Sequence, residues 1–168
     1  MIIRNYGLYW KIDDVYWGKQ KNAGNLFGKL SSERKSEQVN FKDQSGIYAL
    51  YADYDLIYVG QTGAKGQKLL SRLRQHRNDA LAGRWNKFSW FGTRSVLTKG
   101  DLQKEKNNTN TSHRLALNHM EAILITIGEP PLNRQGGKWG SNVKQYLQER
   151  DTRLNTPNLQ HLQSRSKS

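Results

Sequence analysis

Two β-prone runs joined by an acidic turn constrain this chain more than any other feature. Gly46-Ile47-Tyr48-Ala49-Leu50-Tyr51 and Leu56-Ile57-Tyr58-Val59-Gly60 flank Asp53-Tyr54-Asp55. β-Branched and aromatic side chains fit a pleated, half-buried surface, and a short polar segment between two such runs closes a hairpin. The hairpin is the expected start of a sheet, and the elements after it set how that sheet is covered.

A loop over Gln61-Thr62-Gly63-Ala64-Lys65-Gly66 leads into a predicted helix of about 16 residues from near Gln67. Leu69, Leu73, His76 and Ala80 recur on one face of it. Arg72 and His76, four residues apart, stand one turn above each other. A third strand is expected at Phe88-Ser89-Trp90-Phe91, running on to Val96-Leu97. The stretch from Lys99 to Thr111 reads as an exposed loop.

Ser112 is the expected N-cap of a second helix reaching about Ile127. Its apolar stripe is Ala116, Met120, Ile123 and Ile127, and Gly128 with Pro130-Pro131 ends it. Glu121 lies roughly 140° from the centre of the stripe, on the border of the buried face.

Upstream, Tyr9-Trp10-Lys11-Ile12 and Val15-Tyr16-Trp17 suggest two short strands around Asp13-Asp14. These aromatics, interleaved with Lys11, Lys19, Lys21 and Lys29, suit either the core of a small hairpin or a surface that stacks on bases. Ser31 to Gln38 reads as a linker or short helix. Downstream, a last helix is expected over Val143 to Arg150, followed by a polar, disordered tail from Asp151. The expected organisation is an N-terminal aromatic and basic extension (1–44), a central domain (45–137), and a C-terminal helix with a basic tail (138–168).

Charge narrows the partners. The 168 residues hold 27 Lys and Arg against 14 Asp and Glu, a formal net charge of +13. Such an excess suits a polyanion through counterion release from a phosphate backbone. Without cysteine there is no disulfide and no thiolate metal site. No apolar run approaches the roughly 20 residues that span a bilayer. Met1-Ile2-Ile3-Arg4-Asn5-Tyr6 has no basic and apolar secretory pattern, so a soluble, cytoplasmic protein is expected. There is no P-loop and no H-E-x-x-H motif, and the four histidines are scattered.

What remains is an ordered constellation: two tyrosines on paired strands, an Arg and a His on the next helix, a lone Glu on the following helix, and an Asn beyond it. In this order the sequence closely resembles the GIY-YIG nuclease family. Gly46-Ile47-Tyr48 matches the first element. Tyr58-Val59-Gly60 matches the second, with Val in place of the middle Ile. Arg72-Leu73-Arg74-Gln75-His76 matches an Arg-Leu-x-x-His pattern, Glu121 stands at the metal-binding Glu, and Asn133 follows Pro130-Pro131-Leu132. The resemblance covers roughly Gly46 to Gln135.

The resemblance implies an α+β fold, a small, mostly antiparallel sheet of about three strands flanked by helices. It also implies a divalent-metal-dependent DNA endonuclease that leaves a 5′-phosphate. Tyr48 would be the general base, Tyr58 would hydrogen-bond the water or the phosphate, and His76 would orient Tyr48 or relay its proton. Glu121 would hold one Mg²⁺ or Mn²⁺ per site, and Asn133 would brace it. Elementary chemistry agrees, because phosphodiester hydrolysis needs an activated water, a cation at the phosphoryl oxygens and help for the leaving oxyanion. Arg72 offers a planar, permanently charged fork for phosphate. Lys65, Lys68, Arg74, Arg77 and Arg84 are the residues expected along the DNA path, and Trp85, Trp90 and Phe91 are either core or a stacking surface.

Taken singly, each of these residues also has a packing role open to it. Glu121 suits an ion pair with Arg114 or Lys138, and Asn133 suits the turn after Pro131. Restriction-like, phage, mobile-element and defence enzymes all fit the chain, as monomer or homodimer. A noncatalytic nucleic-acid-binding protein on the same scaffold is the alternative, and a structural RNA-associated protein is a third reading that rests on basicity alone.

Overall fold

A computed structural model describes residues 2–19, 23–30, 37–62, 67–104, 113–128, 139 and 141–155, with the backbone alone at 61, 113–118, 121 and 155. The expected hairpin is present: β4 (Gly46–Ala52) and β5 (Asp55–Gln61) pair antiparallel, with Tyr48 opposite Gly60. β6 (Lys87–Gly92) lies on the other side of β4, antiparallel, with Trp90 opposite Tyr48. It ends at Gly92, and Val96 instead bridges Leu102 within a separate loop.

The sheet does not stop at three strands. β1 (Asn5–Lys11), β2 (Phe27–Leu30), β3 (Val39–Asn40) and β7 (Lys144–Glu149) extend it to seven, in the order β3-β2-β7-β1-β6-β4-β5. β1 pairs antiparallel with β6 but parallel with β7, so the sheet is mixed. This corrects the expectation of a small three-stranded sheet flanked by helices. An edge on β6 that local sequence leaves open is closed by β1, a strand some eighty positions away in the chain.

Two local expectations fail for the same reason. Val143 to Arg150 is not a helix: Lys144–Glu149 is a strand held between β1 and β2. Its residues are mostly polar, and the pairing partners rather than an apolar period decide its state. Val15–Trp17 is no return strand, because a 3₁₀ turn over Ile12–Asp14 redirects the chain and Tyr16 makes an isolated bridge to Asn25.

Among the described residues there are two α-helices. α1 (Leu69–His76) is half the expected length, and α2 spans His113–Gly128. Along β4 successive side chains alternate faces, as the pleat requires. Tyr48 and Leu50 join Leu69, Leu70 and Leu73 of α1, whereas Ala49 and Tyr51 join Ile123 and Ile127 of α2. The α1 face carries a dense aromatic cluster. Trp10 meets Trp90 edge-on at 5.4 Å, and Phe41 lies 4.5 Å from Trp90 and 4.6 Å from Tyr146. Each such ring removes on the order of 150–250 Å² from water, worth about 4–6 kcal/mol gross.

Trp10, Trp85, Trp90 and Phe91 are therefore core residues and do not form a base-stacking surface. Among the described residues no helix is long and apolar enough to cross a membrane.

Candidate active site

Both glycines of the paired triplets have a steric reason. Gly46 has φ +145°, and a β-carbon there would lie 1.9 Å from the Phe91 carbonyl oxygen. A β-carbon on Gly60 would lie 2.3 Å from both Cζ and Oη of Tyr48. The bare backbone of Gly60 is what lets the Tyr48 ring lie flat across β5. Tyr48 is fully buried, and its Oη is 2.7 Å from Nε2 of the equally enclosed His76 on α1.

Tyr58 completes the aromatic corner, with its ring 4.9 Å from His76 and 6.1 Å from Tyr48. Arg72 lies beside them, one turn before His76. Its Nη1 donates to Gln75 Oε1 at 2.7 Å, while its Nε–H is buried with no acceptor among the described residues. An unsatisfied buried donor of this kind is costly, so an arriving anionic oxygen would be a favourable partner.

Burial pushes the Tyr48 hydroxyl up to about 12. The Arg72 guanidinium beside it pulls the other way without prevailing, and the Tyr58 hydroxyl adds to the rise. Tyr48 is thus a protonated phenol at neutral pH, able to give up its proton only as another group takes it.

One participant was missed in the sequence. His76 Nδ1 is 2.7 Å from Oδ2 of Asp79, three residues on. The other Asp79 oxygen accepts the Leu81 backbone N–H at 2.9 Å. That amide, followed by the hydrogen bond to His76, holds the Asp79 carboxyl below its usual range. The Arg-Leu-x-x-His pattern stops at His76, so only the His-x-x-Asp spacing on a helix end pointed to it.

The structure brings together Tyr48, Tyr58, Arg72 and His76. Asn133 and Lys65 lie outside the described residues, as does the Gly63–Gly66 turn. The Glu121 side chain is likewise undescribed. Its helix packs through Ile123 and Ile127 on the face of the sheet away from Tyr48. Among the described residues no three His, Asp or Glu side chains gather to hold a metal ion. The carboxylate at the tyrosine site, Asp79, already has both oxygens engaged. Among the described residues, therefore, the tyrosine corner offers no carboxylate oxygen that is not already hydrogen-bonded.

The expected DNA path divides. Arg74 is spent on structure, its Nη2 donating to the carbonyls of Trp17 at 2.5 Å and Ala23 at 2.8 Å. Arg77 stacks on Trp17, 4.5 Å from the ring centre. Both fasten the N-terminal segment to α1. Lys68 is the N-cap of α1, and Arg84 is exposed in the turns that follow the helix. Lys68 also lines a groove of about 340 Å³ with Lys42, Asp43 and Ser71, to which Lys42 is an addition the sequence did not mark. The N-terminus of α1 is no phosphate cradle, because its first amides donate to the carbonyls of Gln44 and Lys42 at 2.9 and 3.0 Å.

No family model, no curated protein and no solved structure matches this chain.

Proposed function

We propose that this protein is an endonuclease that hydrolyses DNA phosphodiester bonds at a tyrosine-led site of the GIY-YIG kind. The observation that carries the reading is the convergence of Tyr48, Tyr58, Arg72 and His76 from β4, β5 and α1 around one hydrogen bond, Tyr48 to His76. The resemblance of the motifs and the net charge of +13 support it.

In the proposed step a water oxygen attacks phosphorus and the P–O3′ bond breaks. The water proton passes to Tyr48 Oη while the Tyr48 proton passes to His76 Nε2. The leaving 3′-oxygen takes a proton from solvent, and the imidazolium later returns one. Arg72 would face the phosphoryl oxygens, where a planar cation offsets the developing charge. Mg²⁺ or Mn²⁺ on Glu121, and Asn133 as a brace, belong to this reading through the resemblance alone.

The full burial of Tyr48 favours a second reading, a noncatalytic nucleic-acid-binding protein in which the same hydrogen bond only braces the sheet. Supercoiled plasmid separates the two. Wild type, Tyr48→Phe and Glu121→Ala are each incubated with Mg²⁺, with Mn²⁺ and with EDTA. Nicking by wild type, lost in Tyr48→Phe, is the expected result. Gel retardation of intact plasmid under every condition would replace the nuclease with the binder. Nicking in EDTA, or by Glu121→Ala, would remove the metal from the reading and leave the tyrosine site in place.

A further inference from the structure

We infer that Asp79 is a positioning residue that fixes the His76 tautomer, leaving Nε2 as the proton acceptor from Tyr48. The inference rests on the nuclease reading for its consequence, though not for its geometry.

A neutral imidazole has one N–H and one lone pair, and the hydrogen bond at one nitrogen sets the role of the other. Asp79 can only accept when ionised. Its Oδ2 stands 2.7 Å from Nδ1, so the N–H is at Nδ1. The Nε2 lone pair is then directed at Tyr48 Oη, again at 2.7 Å. The reverse tautomer would place two lone pairs face to face at Asp79, a clash that Tyr48 does not share because its hydroxyl can either donate or accept.

The carboxylate is itself held still, because Oδ1 accepts the Leu81 N–H at 2.9 Å and the chain turns tightly over 77–84 behind it. The backbone of His76 is pinned too, its carbonyl accepting from Trp85 Nε1 at 3.3 Å. The other groups facing the imidazole are Tyr48 from β4, Tyr58 from β5 and Arg72 from α1, and none of them offers a carboxylate. Once Nε2 has taken the Tyr48 proton and Oη has taken the water's, the imidazolium lies between the Tyr48 hydroxyl and Asp79. The carboxylate thus acts both before transfer, by choosing the tautomer, and after it, by pairing with the cation. Carboxylates do this in hydrolytic triads generally.

The size of the effect follows from exposure. The Asp79 side chain is one-third exposed, so solvent screens part of its influence. Loss of a general acid–base partner reduces rate by roughly 10²–10⁴-fold. A partly screened carboxylate belongs at the lower end, about a hundredfold in kcat, with KM within about twofold.

The test uses the full chain, wild type and Asp79→Asn, with ¹⁵N-labelled histidine. Asn keeps an oxygen for the Leu81 N–H, so the turn is preserved. At pH 8 wild-type His76 should show the Nδ1–H tautomer, and Asp79→Asn should lose that preference. Asp79→Glu should restore it in part, which a purely structural role would not require. A wild-type Nε2–H tautomer, or one unchanged in Asp79→Asn, overturns the inference. Plasmid nicking is scored on the same samples. The expected tautomers without any nicking would sink the nuclease reading and leave Asp79 in its place. Undiminished nicking by Asp79→Asn would sink the positioning role and leave the nuclease.

Discussion

Replacing Gly60 with alanine sets a methyl group where the Tyr48 ring now lies. The new carbon would meet Tyr48 Cζ and Oη at 2.3 Å and Tyr58 Cε1 at 2.7 Å, all closer than real contacts allow. Tyr48 cannot retreat freely, being fully buried between Trp90 on β6 and His76 on α1. Overpacking a filled core costs about 1–3 kcal/mol. Displacing Oη also breaks the hydrogen bond to His76, about 0.5–1.5 kcal/mol. Against these, alanine in a strand recovers roughly 0.5–1 kcal/mol of backbone entropy.

The net is a destabilisation of about 2 kcal/mol, read as a fall in Tm of roughly 4–8 °C for a domain of this size. Urea unfolding at neutral pH measures it directly. The double variant Gly60→Ala, Tyr48→Phe should cost less than the two single changes together, because the hydrogen bond is lost only once. If the nuclease proposal holds, Gly60→Ala should also slow plasmid nicking about a hundredfold, the usual effect of an ångström's misplacement at a reacting group. A Gly60→Ala protein as stable as wild type, or more so, would refute the packing of Tyr48 against β5 and the steric account of the second glycine.

Arg74→Ala should lower stability by about 1–3 kcal/mol, since the carbonyls of Trp17 and Ala23 lose their donor. It should change plasmid retardation less than Lys68→Ala does. A stable Arg74→Ala that fails to retard DNA would return Arg74 to the DNA path. Acid should also reveal the C-terminal turn. The Arg153 guanidinium holds the nearly buried Asp151 carboxyl down at about 2, below its ordinary value near 4. A depressed carboxylate contributes stability that is complete above the unfolded value and drains away as pH falls toward the folded one. Unfolding free energy should therefore drop between about pH 4 and pH 2, and less so in Asp151→Asn. Identical acid profiles for the two proteins would remove the ion pair as the cause.

Much of the hairpin and its corner was readable in advance, for local reasons. Gly46–Tyr51 and Leu56–Gly60 pair as their residue types demand. Arg72 and His76 share a helix face because four residues make about one turn. The glycines of both triplets were visible in the sequence, but their purpose, room for the Phe91 carbonyl and for the Tyr48 ring, needs the strands in place.

Other parts depended on partners distant in sequence. Lys144–Glu149 has too few apolar residues to announce a strand, and it becomes one because β1 and β2 each offer it an open edge. The seven-stranded sheet follows from that closure and not from any local pattern. Arg74 and Arg77 looked like cations for DNA, yet Trp17 and Ala23 claim them once the N-terminal segment folds onto α1. Asp79 was one acid among fourteen until the end of α1 brought its carboxylate to Nδ1 of His76. Composition and short-range spacing determine which residues are available and which strands can form. Hydrogen bonds and burial across long separations decide which sheet those strands join, and the turn that ends α1 decides that Asp79 meets Nδ1 of His76.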